Sequence, residues 1–202
     1  MHISDLVNPQ AIISTVGVIG VICIVFAESG LFFGFFFPGD SLLFTAGFLA
    51  SQGYLNLGVL LFGSFLAATI GDSVGYSFGK KIGPAIFKKE DSFIWSKKRV
   101  EQASTFYEKY GKKTIILARF VPIVRTFAPI LAGVGKMDYK TFVKYNITGA
   151  FLWVFGITLL GYTLGNVIPN VDKYLLPIIA LIILLSILPP IFHIIKAQRE
   201  KK

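Results

Sequence analysis

Glu28, Asp40, Arg119 and Arg125 are the residues of this chain best suited to chemistry, because each ionisable group stands inside an otherwise apolar stretch. An ionised side chain at bilayer depth costs from a few to more than about 10 kcal/mol, so it faces a partner or a watery cavity. A guanidinium stays charged and grips phosphate or carboxylate through paired donors, which a lysine cannot do. Arg119 and Arg125 are six positions apart with Pro122 between them. Both can therefore point into one pocket, and two arginines at depth suit a phosphate headgroup. Glu28 and Asp40 suit proton handling: burial disfavours an ionised carboxylate and a neighbouring arginine favours it, so their protonation follows what the arginines hold. The alternative is that the four groups only neutralise one another in a cluster that holds the fold. Asp72, in Ile70-Gly71-Asp72-Ser73, is a fifth such charge. It is either a supporting partner of an arginine or a residue near the membrane interface.

The elements that position these groups belong to an all-α integral membrane protein. Of 202 residues, 54% are hydrophobic and only 15% charged, and the mean hydropathy is +0.69. The net charge of +9 would suggest nucleic acid in a soluble domain, but here the basic residues are confined to a few polar segments. Residues 80–113 carry ten Lys/Arg against four Asp/Glu, and the segments 136–144 and 196–202 are also basic. The positive-inside rule places all three in the cytoplasm, so the partners expected are membrane lipids and protons, with no nucleic acid. The lone Cys23 excludes an internal disulfide, and His2 and His193 stand at opposite ends of the chain, so neither a metal site nor a soluble cofactor is implied. The N-terminal apolar run lacks a basic leader and outlasts a signal core, so it is expected to be retained.

Apolar runs cover about 11–37, 41–50, 57–79, 114–135, 147–169 and 175–195. A simple span needs roughly 20 residues. The first run is too long, the second too short, and the fourth contains Arg119, Pro122, Arg125 and Pro129. If the fourth run crossed the membrane, both later basic segments would lie outside. Entry and return on the cytoplasmic side resolves the conflict. The same parity makes 31–50, centred on Pro38-Gly39-Asp40, a hairpin dipping in from outside, and puts both termini in the cytoplasm. The expectation is a single membrane domain and a multi-span bundle with two oppositely oriented re-entrant hairpins, whose tips contain Pro38, Gly39 and Pro122. Half one is about 11–79, the connector 80–113, half two 114–195, and the tail 196–202. An inverted repeat is suggested by Val74-Gly75-Tyr76-Ser77-Phe78-Gly79 against Leu160-Gly161-Tyr162-Thr163-Leu164-Gly165, and by Gly47 against Gly133. Such a design brings broken segments together near the midplane. Within the connector, Phe93, Val100, Ala103, Tyr107 and Tyr110 recur at helical spacing. They fit either an amphipathic surface helix or a plain basic linker.

The order glutamate (Glu28-Ser29-Gly30), Pro38-Gly39-Asp40-Ser41, Gly71-Asp72 with Gly75-Tyr76, then Arg119-Phe120-Val121-Pro122-Ile123-Val124-Arg125-Thr126 resembles the DedA family over roughly 16–165. The resemblance implies a bacterial inner (cytoplasmic) membrane protein, related to eukaryotic lipid scramblases and associated with proton-motive-force-dependent envelope homeostasis. It also implies a lipid transporter rather than an enzyme. Undecaprenyl phosphate, the carrier lipid of cell-wall synthesis, is the substrate it suggests, moved from the outer to the inner leaflet by a flippase. The family's acidic and arginine pairs match Glu28, Asp40, Arg119 and Arg125. The matched motifs do not separate undecaprenyl phosphate from phosphatidylethanolamine or another phospholipid. Rival readings are a phospholipid scramblase, a proton-coupled transporter of small cations or drugs, and a membrane enzyme acting on lipid phosphate. The last would rest on carboxylates alone, with no histidine or cysteine at the site.

Overall fold

The computed structural model describes residues 9–30, 39–82 and 109–167, with side chains from Gly17 onward except at Pro122 and Ile123. The described residues form six α-helices and no strand: α1 (Pro9–Gly30), α2 (Gly39–Ser51), α3 (Leu57–Ile82), α4 (Thr114–Leu117), α5 (Pro122–Val134) and α6 (Tyr139–Val167). Two of them, Leu57–Lys81 within α3 and Tyr139–Val167, are long and apolar enough to cross a bilayer. The expected tip residue Pro38, the amphipathic connector around 93–107, the last apolar run 175–195 and the basic tail lie outside the described residues.

The third helix shows how composition divides such a segment into a lipid-facing and a packing face. Along α3, Phe62, Leu66, Ile70 and Val74 are exposed at helical spacing, an apolar ridge suited to lipid. The opposite face buries Ser64, Ala68, Gly71, Asp72, Gly75 and Tyr76. Small residues let backbones approach closely where lipid supplies no hydrophobic drive for association.

The chain divides into two compact units, residues 22–37 with 61–156 and residues 1–21 with 38–60 and 157–202. In the first unit the run 114–134 is broken, as expected of a segment containing Pro122. A 3₁₀ turn, Ala118–Phe120, follows α4. Val121 is then extended (φ −123°, ψ 105°), and Pro122 opens α5 in its first turn, where the missing N–H is harmless. The two arms fold back on each other: Ala118 packs with Val124, Phe127 and Ala128, while Ile115 and Ala132 share a cluster with Tyr76 and Phe142. The Tyr76 ring stacks on Phe142 at 4.6 Å and its hydroxyl donates to the Met137 carbonyl at 2.5 Å. The base of the folded-back pair is thereby tied to the end of α3 and the start of α6.

Glycines set the closest approaches. A Cβ on Gly79 would lie 2.8 Å from the Ile130 carbonyl carbon, and one on Gly133 would lie 2.7 Å from the Lys80 nitrogen, so α3 and α5 touch backbone to backbone. In the second unit, α2 and α6 meet in the same manner at Gly47 against Thr158 and Gly161 against Phe44. Each short helix thus packs on the long helix of the other sequence half. The glycines used are those that the two halves share.

Candidate functional site

Inside the first unit, the apolar surroundings enclose a cluster of four charges. Glu28 is 0% exposed, Arg119 2%, Asp72 3% and Arg125 5%. Glu28 lies near the end of α1 and Asp72 in the second half of α3. Gly30 and Gly71 make this neighbourhood possible: a Cβ on Gly30 would stand 3.2 Å from the Gly71 Cα, so α1 and α3 run in near contact there. Arg119 belongs to the 3₁₀ turn just before the break at Val121, and Arg125 to the first turn of α5 just after it. The break keeps the two guanidiniums near one tip instead of on successive turns of a continuous helix.

The charges pair in a defined pattern. Arg119 Nη2 donates to Asp72 Oδ2 at 2.5 Å and to Asn146 Oδ1 at 2.5 Å. Arg125 Nη2 donates to Glu28 Oε1. Asn146 in turn donates through Nδ2 to the Thr69 carbonyl at 2.9 Å, which anchors its amide to α3. The buried ring of Trp153 lies beneath both guanidiniums, with Arg125 Cζ at 5.0 Å and Arg119 Cζ at 5.9 Å from its centroid. Contacts of this kind contribute about 2 kcal/mol or more when desolvated. Gly149 completes the seat, since a Cβ there would stand 3.0 Å from Arg119 Cδ.

The arrangement is neutral overall, yet it is not closed on itself. Arg119 Nε and Nη1 have no hydrogen-bond partner among the described residues, nor do the hydroxyls of Ser29 and Thr126, the chain neighbours of Glu28 and Arg125. A buried guanidinium with open donors is a strong site for an oxyanion, because charge-assisted hydrogen bonds gain most where water is excluded. Among the described residues no group of His, Cys, Asp and Glu could hold a metal ion.

The structure therefore brings together three of the four charges singled out in the sequence, Glu28, Arg119 and Arg125. Asp72 joins them as the direct partner of Arg119. Asp40 opens α2 as an exposed residue of the first turn, within the other unit. Gly39 is buried at the start of the same helix, and Pro122 occupies the break between the arginines. Sequence reasoning missed Asn146 and Trp153. The signal was present as helical phase, since Asn146, Gly149 and Trp153 fall on one face of α6 at spacings of three and four.

Comparison with known proteins gives the following matches. Residues 37–163 match the VTT domain. Protein DedA of Escherichia coli K12 is 47% identical over 178 residues, covering 87% of this chain and 81% of that protein. An uncharacterized membrane protein of Mycobacterium tuberculosis is 43% identical over 206 residues, covering 98% of this chain and 90% of that protein. The inner membrane protein YqjA of Escherichia coli K12 is 30% identical over 168 residues, covering 79% and 76% respectively. No solved structure matches.

Proposed function

The chain is a membrane protein of the DedA family, and from that membership together with its buried arginine cluster we propose that it translocates a phosphate-bearing lipid across the cytoplasmic membrane, coupled to protons. The observation that carries the reading is the pair of guanidiniums seated on one Trp153 face, Arg119 retaining Nε and Nη1 donors without a partner among the described residues. Arg119 and Arg125 hold the phosphate. Glu28 and Asp40 handle protons, and the substrate is undecaprenyl phosphate moving from the outer to the inner leaflet.

Two features support the expected topology of opposed re-entrant hairpins in an inverted repeat. The first is that the arms around Val121 return to a common base with Tyr76 and Phe142. Exposed Lys80 and Lys81, Lys112 and Lys113, and Lys136 and Lys140 lie within a few residues of that base along the chain. Lysines on every segment that meets at such a base suit a single, cytoplasmic face. The second is that in each half glycines of the shared pattern bring a short helix against the long helix of the other half, at Gly79 with Ile130 and at Gly161 with Phe44, one helical turn apart in register. An inner-membrane location agrees with the name of the YqjA relative, an inner membrane protein.

The test is leaflet exchange of labelled undecaprenyl phosphate and phosphatidylethanolamine in liposomes holding the purified protein, with and without an imposed pH gradient. Faster exchange of the phosphate monoester, enhanced by the gradient, is expected. Arg125→Lys loses a paired donor, a charge-assisted hydrogen bond of about 1.5–3 kcal/mol, so transport should fall by about tenfold or more. Transport unchanged in Arg125→Lys would favour the cation or drug transporter instead, since that site needs only positive charge. Equal, gradient-independent exchange of both lipids would reduce the activity to scrambling.

A further inference from the structure

A guanidinium offers a phosphate two forks, one made by Nε with Nη2 and the other by Nη1 with Nη2. Nη2 belongs to both. In this protein the two hydrogens of Arg119 Nη2 are already given to Asp72 Oδ2 and Asn146 Oδ1, while Nε and Nη1 are open among the described residues. A phosphate can thus approach Arg119 through single donors, but it cannot complete either fork without taking a hydrogen from Asp72 or from Asn146. The two occupants are held differently. Asn146 is anchored by its own amide to the Thr69 carbonyl at 2.9 Å, and it is neutral, so it tolerates an adjacent anion. Asp72 carries a negative charge that repels the incoming one.

Resting on the phosphate reading above, we propose that Asp72 is the carboxylate displaced by the substrate, and that it takes a proton from the aqueous phase as the phosphate completes its fork on Arg119. One hydrogen bond from Nη2 passes from the carboxylate to a phosphate oxygen, and one proton passes from water to Asp72. That proton offsets one of the two negative charges that a phosphate monoester carries above its second ionisation. The charged groups around Asp72 are Arg119 from the 3₁₀ turn and Arg125 from α5, with Glu28 from α1 acting on Arg119. Asn146 faces Arg119 from α6 without a charge. Once Arg119 is engaged by phosphate, the attraction that kept Asp72 ionised is spent on another anion, and a buried carboxylate without its partner is neutral. Should phosphate take the Asn146 fork instead, two anions would flank one nitrogen, and protonation of Asp72 would again relieve the repulsion. Asp72 is thereby the proton acceptor of the binding step, which leaves Glu28 and Asp40 to handle protons at other steps of transport, and Asn146 is a positioning residue that fixes which fork opens.

The experiment is calorimetric titration of the purified full-length protein in nanodiscs with farnesyl phosphate, in buffers of different ionisation enthalpy. The pH range is 7.5–8.5, chosen to lie above the second ionisation of a phosphate monoester near about 6. For the wild type, uptake approaching a single proton is expected, with affinity falling by up to about tenfold per pH unit. Infrared difference spectra should show a carboxylic C=O stretch appearing on binding. Asp72→Asn keeps an acceptor for Arg119, and it should bind with an affinity that no longer falls with pH and without that stretch. Asp72→Glu should restore both signals. Binding to Asp72→Asn with proton uptake equal to the wild type would overturn the role of Asp72 and leave the phosphate site standing. Absence of farnesyl phosphate binding to the wild type would overturn the phosphate site and this inference with it.

Discussion

Neutralising both members of the Glu28–Arg125 pair should harm the protein far less than the two single changes added together. Glu28 is fully buried and Arg125 nearly so, and the two are in direct contact. Removing one partner of a buried pair leaves an uncompensated charge, which costs about 3–5 kcal/mol. Glu28→Gln retains an oxygen acceptor and should fall near the lower bound, whereas Arg125→Gln strands the carboxylate and should fall near the upper. Simple addition would then put the double variant at about 8 kcal/mol below wild type. Because the double variant has no charge left to strand, we expect a coupling energy towards the upper end of the range of about 0.5–3 kcal/mol seen for contacting residues. The chain holds two tryptophans, Trp95 and Trp153, so a Trp95→Phe background leaves Trp153, whose ring lies 5.0 Å from Arg125 Cζ, as an emission reporter inside the cluster. Unfolding by sodium dodecyl sulfate in mixed micelles, followed by that emission, measures all four corners of the cycle. Additivity of the two single changes within about 0.5 kcal/mol would mean that the pair does not act as a unit, and the electrostatic account of the cluster would fail.

Two further outcomes follow from the packing and the caps. Gly79→Leu places a branched side chain where even a Cβ would stand 2.8 Å from the Ile130 carbonyl carbon; overpacking of this kind costs about 1–3 kcal/mol or more. It should lower the unfolding midpoint in the same titration, while the same change at Gly156, which has nothing within 4 Å of a Cβ, should not. Asp138 accepts hydrogen bonds from the Thr141 N–H at 2.9 Å and the Thr141 hydroxyl at 3.1 Å, and these bonds hold its carboxyl below the ordinary aspartate value. A carboxylate depressed in the folded state adds stability that is complete above the unfolded value of about 3.9 and fades as pH falls through the folded one. Asp138→Ala should therefore be less stable than wild type near neutrality, and the difference should shrink in acid below that value; a gap independent of pH would reject the cap.

The sequence made the class and the burial of the two arginines readable, because charge inside an apolar run is expensive wherever the run ends up and must be sheltered by partners; Arg119 and Arg125 are both buried. The break at Val121 was readable for a related reason: Pro122 cannot continue a helix, but it can start one. Pairing was not readable. With two arginines and three acidic candidates, composition leaves open which carboxylate meets which guanidinium, and only the approach of α1 to α3 at Gly30 and Gly71 decides it. Asn146 and Trp153 escaped because a single amide or indole in a span is ordinary. Their meaning lies in sharing a helix face with Gly149, where the missing side chain makes room for Arg119. Asp40 shows the converse. Its charge stood out within an apolar stretch, yet in the structure it is exposed in the first turn of α2, where a carboxylate also complements the positive end of the helix dipole.

The neutrality of the cluster bears directly on how such a site would handle different lipids. Two carboxylates and two guanidiniums leave no net charge among Glu28, Asp72, Arg119 and Arg125 when the site is empty. An arriving headgroup with a net negative charge would make the buried site negative, and a net charge at membrane depth costs from a few to more than about 10 kcal/mol. Moving one charge through a potential of about 100 mV involves only about 2.3 kcal/mol. Offsetting negative charge with a proton therefore acts against the larger of these two magnitudes. A zwitterionic headgroup brings no net charge and makes no such demand. Under the proposed function, proton dependence is then a property of the substrate's charge as much as of the protein. The same four side chains would couple a phosphate monoester to the gradient while passing phosphatidylethanolamine without it.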